Sequence, residues 1–260
     1  MEGREAAEAV LPPWPVKILV LGNSGTSGQL TGGTSWTRVF GDCISEQRGT
    51  PVHEEQSAFV PTGSRAPEIA AKSVADSEPD LVIVPVSNYV FSAKFVWVRI
   101  QRLLGRRAGR WFRGIEQSFN DQTYDKGRLR HRLNMTLRKV AHRLVGAEAL
   151  TTSKECAKTY ADTFQRLAQA EDVEVVVVSH GGRRSVYRDP ELLRERTLHL
   201  EEVRASAEAH HLLFVNTSSV SGQPVGSGDG VQADGLHVTA EYQRAMGEFV
   251  AEAYLKHVTE

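Results

Sequence analysis

Val16-Lys17-Ile18-Leu19-Val20-Leu21-Gly22-Asn23-Ser24-Gly25-Thr26-Ser27-Gly28 is an apolar run that stops at glycine and passes into small polar residues. Its brevity and flanking turn chemistry predict a buried strand emptying into a Gly/Ser-rich loop, not a helix. Leu81-Val82-Ile83-Val84-Pro85-Val86, Val173-Glu174-Val175-Val176-Val177-Val178 and Leu212-Leu213-Phe214-Val215 read the same way, and Val52 to Phe59 forms a weaker run. Helical spacing fills the intervals. Trp36, Val39, Phe40, Cys43 and Ile44 share one face, as do Tyr160, Ala161, Phe164, Leu167 and Ala168. A last helix from about Thr239 presents Tyr242, Met246, Phe249 and Val250. Thr152 and Glu155, three apart, make a capping-box start for the helix carrying Tyr160. Buried strands alternating with amphipathic helices predict an α/β fold with a parallel sheet covered on both faces.

The chain has 260 residues with a formal net charge of −1 and 40% hydrophobic residues, which suits one large α/β domain. Residues 1–15 are a polar lead-in ending in Pro12-Pro13-Trp14-Pro15, and the domain is expected over 16–260. Two cysteines, Cys43 and Cys156, are too few for a disulfide framework or a cysteine-based zinc site. The N-terminus lacks the basic start and apolar run of a secretory signal, and no stretch reaches bilayer length. A cytoplasmic protein is the expectation. One block breaks the neutrality: from Lys94 to Arg143 there are 14 Lys/Arg against 3 Asp/Glu, leaving about −12 for the remainder. Arg99, Arg102, Arg106, Arg110 and Arg113 are spaced to form one stripe on a helix, and Leu129, Leu133, Val140 and Leu144 mark a second amphipathic stretch. This basic helical insertion, about 94–150, follows the third strand.

A serine at the carboxyl end of a strand, flanked by glycines, is held on a sharp turn with its hydroxyl exposed. Ser24 has that setting, and the same turn aims amide N–H groups at a developing oxyanion. Read alone, the loop equally fits the turn after the first strand of any doubly wound sheet. A hydroxyl needs a base and the base needs an orienting group. Asp234-Gly235-Leu236-His237, just before the last helix, supplies both on one turn, although helix capping explains the pair as well. Pro61-Thr62-Gly63-Ser64 and Ser87-Asn88 follow the second and third strands, on the edge where Ser24 emerges if the strands are parallel. His180-Gly181-Gly182 ends the fourth strand and is read as a pocket-lining turn at most. His53, His199, His210 and His211 are assigned to surface or helix roles.

Taken in order, these segments resemble the four blocks of the SGNH/GDSL hydrolase family. Gly22-Asn23-Ser24 is similar to the nucleophile block, Gly63 to the glycine block, Asn88 to the asparagine block, and Asp234-Gly235-Leu236-His237 to the terminal Asp-x-x-His block. The chain departs at Asn23, where the family usually has Asp, and at Val86-Ser87-Asn88-Tyr89, where it usually has Gly-x-Asn-Asp. The resemblance implies a three-layer, flavodoxin-like α/β/α fold and ester hydrolysis through an acyl-enzyme, with no metal or other cofactor. Ser24 is then the nucleophile, His237 the base and Asp234 its orienter. The oxyanion donors are the N–H groups of Ser24 and Gly63 and the side chain of Asn88.

Four readings of the insertion stand beside this one: a lid over the site, favoured by its placement after Asn88; a surface for an anionic membrane; a polyanion-binding face; and a helical hairpin whose arginines pair with the acidic remainder or another subunit. Nucleic acid is the weakest, because no recognisable binding module accompanies the charge. An acyltransferase using the same triad, and a catalytically silent anion- or partner-binding protein of the same fold, are the functional alternatives. The expected substrate is a small-molecule or lipid ester whose acyl and alcohol parts these residues do not specify.

Overall fold

The computed structural model describes residues 16–22, 26, 33–121, 140, 143–179, 190–222 and 239–260. They form two compact units, one of Met1–Ser87 with Ala157–Glu260 and one of Asn88–Cys156. The larger unit contains β1 (Val16–Gly22), α1 (Trp36–Arg48), β2 (Val52–Ala58), α2 (Ala66–Ser77) and β3 (Leu81–Val86). After the smaller unit it continues with most of α6 (Ser153–Leu167), then β4 (Glu174–Ser179), α7 (Pro190–Ala209), β5 (Leu213–Asn216), a 3-10 turn (Thr217–Gly222) and α8 (Ala240–Thr259). The smaller unit contains α3 (Tyr89–Ser92), α4 (Val96–Leu104) and α5 (Arg106–Asp121).

All five strands are parallel, in the order β2-β1-β3-β4-β5, with helices on both faces. The expected flavodoxin-like sheet is therefore present. Alternation along the strands divides the core. Ile18, Val20, Leu81, Ile83, Val176, Val178 and Val215 join Trp36, Phe40, Ile44, Met246 and Val250 of α1 and α8 in one cluster. Leu19, Leu21, Val82, Val84, Val175 and Val177 are equally buried on the other side, with Ala70, Tyr160, Phe164 and Val203 of α2, α6 and α7. Each fully buried large side chain contributes about 1.5–3 kcal/mol over its exposed state. The edge strand β2 is polar (Glu54, Glu55, Gln56) and only half-buried, which accounts for its weak sequence signal.

α1 and α8 close the unit. Ser35 caps α1 by accepting from the Arg38 N–H, and Thr239 caps α8 by accepting from the Tyr242 N–H. The Trp36 N–H, an orphan donor of the first turn of α1, is taken by Gln243 Oε1 at 2.9 Å across 207 residues of chain. One turn later the helices touch at Gly247, where an added Cβ lies 2.5 Å from the Trp36 carbonyl oxygen and 2.6 Å from Val39 Cβ.

Within the smaller unit, Phe95 and Glu148 exchange backbone hydrogen bonds of 2.8 and 3.1 Å. The Glu148 carboxylate also pairs with Arg99 and, at 2.8 Å, with Arg102. The single arginine-striped helix expected from the sequence is broken here. Gly105, at φ +85°, stops α4 and its N–H bonds to Gln101 O, so Arg99 and Arg102 lie on α4 while Arg106, Arg110 and Arg113 lie on α5. Gly109 lets α5 lie against the Gln101 side chain. The second stretch lies largely outside the described residues. The capping box is present: Glu155 N–H donates to Thr152 Oγ1 and Thr152 N–H to Glu155 Oε2, both at 3.2 Å. These contacts hold the Glu155 carboxyl below its ordinary range. Among the described residues no helix is long and apolar enough to cross a membrane.

Gly247→Val must push α8 off α1. We expect urea unfolding to show a loss of about 1–3 kcal/mol, the usual cost of overpacking a close contact, whereas Gly114→Ala, which meets nothing, leaves the midpoint near wild type.

Candidate active site

In a parallel sheet every strand delivers its following loop to the same edge, and ligands bind there where the strand order reverses. That point lies between β1 and β3. Their ladder covers only Ile18–Val20 against Leu81–Ile83, while β1–β2 pairs seven residues and β3–β4 six. Beyond Val20 and Ile83 the two strands are unpaired, and Pro85, with no N–H to donate, lies in this stretch. The edge is braced around the gap. Phe59 N–H donates to Gly22 O at 2.9 Å, and Tyr160 Oη accepts from Ser87 N–H at 2.7 Å while donating to Pro85 O at 3.1 Å. At the far side Thr217 N–H donates to Ser179 Oγ at 3.3 Å, and the Thr217 hydroxyl donates to the Ser179 carbonyl.

Ser24, Asp234 and His237 lie outside the described residues, as do His180, Gly181 and Gly182; the structure describes their flanks. Ser24 is two residues from Gly22 and two from Thr26. The fully buried Thr26 side chain lies directly against the Gly22 Cα, where any Cβ collides with its hydroxyl. This is a steric reason for glycine at the end of β1. The Thr26 carbonyl accepts from Gln56 Nε2 at 3.0 Å, and the second amide proton of Gln56 goes to Glu54 Oε1 at 2.7 Å. The Thr37 hydroxyl lies 3.0 Å from the same carboxylate oxygen and 3.4 Å from the Thr26 carbonyl. Glu54 and Gln56 were not singled out from the sequence. Alternation along β2 places both on one face, and that was the available signal. On the other flank, His237 stands two residues before Thr239, the cap of α8, whose first turn holds Trp36 at the start of α1. Both loops that carry triad candidates are thus anchored to one pair of helix N-termini.

Gly63 sits in the turn that opens α2, exposed and at φ +79°, a conformation suited to glycine. Its carbonyl accepts from Ala66 N–H at 3.3 Å, and its own N–H bonds to no backbone acceptor among the described residues. Asn88 opens the smaller unit as the N-cap residue of α3, yet its side chain makes no cap hydrogen bond. It is only 7% exposed, and its Oδ1 has no hydrogen-bond partner among the described residues. A buried amide left out of local structure is costly, and functional sites are where such cost is found.

Neither cysteine competes as a nucleophile. Burial pushes the Cys156 thiol up to about 12, and burial followed by Glu248, Glu46 and Asp42 raises Cys43. Among the described residues no group of three His, Cys, Asp or Glu side chains could hold a metal. His199 lies in α7 as a helix residue, but it is buried, its ring 6.1 Å from Tyr160.

The fold is shared with known enzymes. The structure of TesA superposes with a TM-score of 0.53 at 14% identity, covering 91% of this chain and 97% of that one. The psychrotrophic esterase EstA from Pseudoalteromonas sp. superposes at 0.53 and 12%, covering 94% and 99%. Axe2, an acetyl-xylooligosaccharide esterase from Geobacillus, superposes at 0.54 and 15%, covering 94% of each chain. No family model matches the chain, and no curated protein matches it in sequence.

Gln56→Leu strips the Thr26 carbonyl and Glu54 of their shared donor, and urea denaturation should report a loss of about 1–2 kcal/mol. Gln56→Glu sets a second carboxylate against Glu54 in place of the donor and should destabilise more than Gln56→Leu in the same measurement.

Proposed function

We propose that this chain is a serine hydrolase of the SGNH/GDSL type that cleaves a carboxylic ester through an acyl-enzyme. Ser24 Oγ attacks the ester carbonyl carbon while His237 takes its proton, and Asp234 holds the imidazole in the required tautomer and stabilises the imidazolium. The carbonyl oxygen becomes an oxyanion, received by the N–H groups of Ser24 and Gly63 and the side-chain amide of Asn88. Collapse breaks the bond to the alcohol, which leaves with the proton returned by His237. Water, deprotonated by the same imidazole, then attacks the acyl-Ser24 carbonyl, and the carboxylic acid departs as Ser24 Oγ recovers its proton.

The observation that carries this reading is the anchoring of both triad-bearing loops at the carboxyl edge. Gly22 and Thr26 fix the chain on either side of Ser24, and the Trp36–Gln243 bond ties the end of that loop to the helix that follows His237. The carboxyl ends of β1 and β3, not paired with one another beyond Val20 and Ile83, support a substrate crevice beside it. Gly63 and Asn88 suit their roles because the Gly63 N–H bonds to no backbone acceptor among the described residues and the Asn88 side chain makes no cap hydrogen bond. The esterases that share the fold favour the same chemistry by analogy.

Ser24→Ala and His237→Ala should remain folded and hydrolyse p-nitrophenyl acetate no faster than buffer, and a fluorophosphonate probe should label Ser24 one to one in the wild type only. Wild-type turnover by Ser24→Ala would end this assignment. Asn88→Ala should lose on the order of 100- to 1000-fold in kcat with the fold intact by circular dichroism.

A further inference from the structure

We propose that the α4–α5 hairpin of the smaller unit is a docking surface for an anionic lipid bilayer. Between Lys94 and Ile115 there are seven Lys/Arg residues and no Asp or Glu. Arg99 and Arg102 share the single Glu148 carboxylate, and Arg113 lies 5.1 Å over the Trp97 ring. Arg106, Arg107 and Arg110 make no ion pair among the described residues. On α5 these three lie on the exposed side, opposite the more buried Ala108, Gly109 and Phe112. Trp111 borders them with 69% of its surface in water, and the end of α4 exposes Leu103 and Leu104 at 57% and 73%.

This combination selects a bilayer over other polyanions. Arginines alone suit any phosphate-rich partner, but a nucleic acid backbone has no use for two leucines and a tryptophan held out in water. An interface offers both phases. Lipid phosphates receive the guanidinium groups, the acyl boundary receives the leucines, and the indole sits between with its N–H toward the headgroups. Outside Lys94–Ile115 the chain carries about −8, so long-range attraction orients this basic face toward an anionic leaflet while the remainder is repelled.

The test is co-sedimentation of the full chain with phosphatidylcholine vesicles and with mixed phosphatidylcholine/phosphatidylglycerol vesicles, at low and high salt. The protein should bind only the anionic vesicles and be released by salt. Arg107→Gln with Arg110→Gln should lower the partition coefficient on the order of 30-fold, and Trp111→Ser should weaken binding and remove a blue shift in tryptophan fluorescence. All these variants should keep wild-type hydrolysis of a soluble ester without vesicles; since sedimentation needs no turnover, failure here and failure of the proposed chemistry are separable. Absence of the folded wild type from anionic pellets at low salt overturns the proposal. So does unchanged binding by the variants, tighter binding to duplex DNA that ignores Trp111→Ser, or a dimer that the arginine variants dissociate.

Discussion

The bond between the Trp36 N–H and the Gln243 side chain joins the starts of the first and last helices of the larger unit. A helix's first-turn amides have no partner within the helix, and here a buried glutamine from the last helix supplies one. With Gly247 admitting the Trp36 carbonyl at van der Waals range, the N-termini of α1 and α8 act as one block. The loop after β1 must end on this block and the loop before α8 must end on it too. The described flanks of these two loops, Thr26 to Trp36 on one side and Thr239 on the other, therefore converge on one pair of helix starts.

The sheet supplies the second requirement. Parallel pairing sends every βα loop to one edge, and the short β1–β3 ladder leaves that edge open between the strands whose loops carry Ser24 and Asn88. The opening would weaken the sheet were it not braced by Tyr160 on β3, Phe59 on β1 and the Ser179–Thr217 pair on β4 and β5. The polar face of β2 belongs to the same arrangement. Glu54 and Gln56 are poor choices for a buried strand, but Gln56 donates one amide proton to the buried carbonyl of Thr26 while Glu54 accepts the other.

The smaller unit follows a different logic. The arginines of α4 and α5 partly pair with one carboxylate, Glu148, and are partly left to solvent beside exposed leucines and tryptophan. This basic block gives a chain of nearly zero net charge a strongly polar electrostatic field.

By itself the sequence determined the parallel sheet, its four apolar strands, the helices between them, the capping box at Thr152 and the residue types required for ester chemistry. These are local matters: period, brevity of apolar runs and turn residues are written within a dozen positions of one another. The kink at Gly105 was overlooked because helical spacing of Arg99, Arg102, Arg106, Arg110 and Arg113 continues through it, and only the backbone's positive φ reveals the break. What the tertiary structure alone decided is long-range: the strand order, the short β1–β3 ladder, Gln56 reaching the Thr26 carbonyl, and Gln243 holding Trp36. Each pairs groups distant in the chain, and hydrogen bonds of that kind are set by where the sheet and helices meet, not by any pattern along the chain.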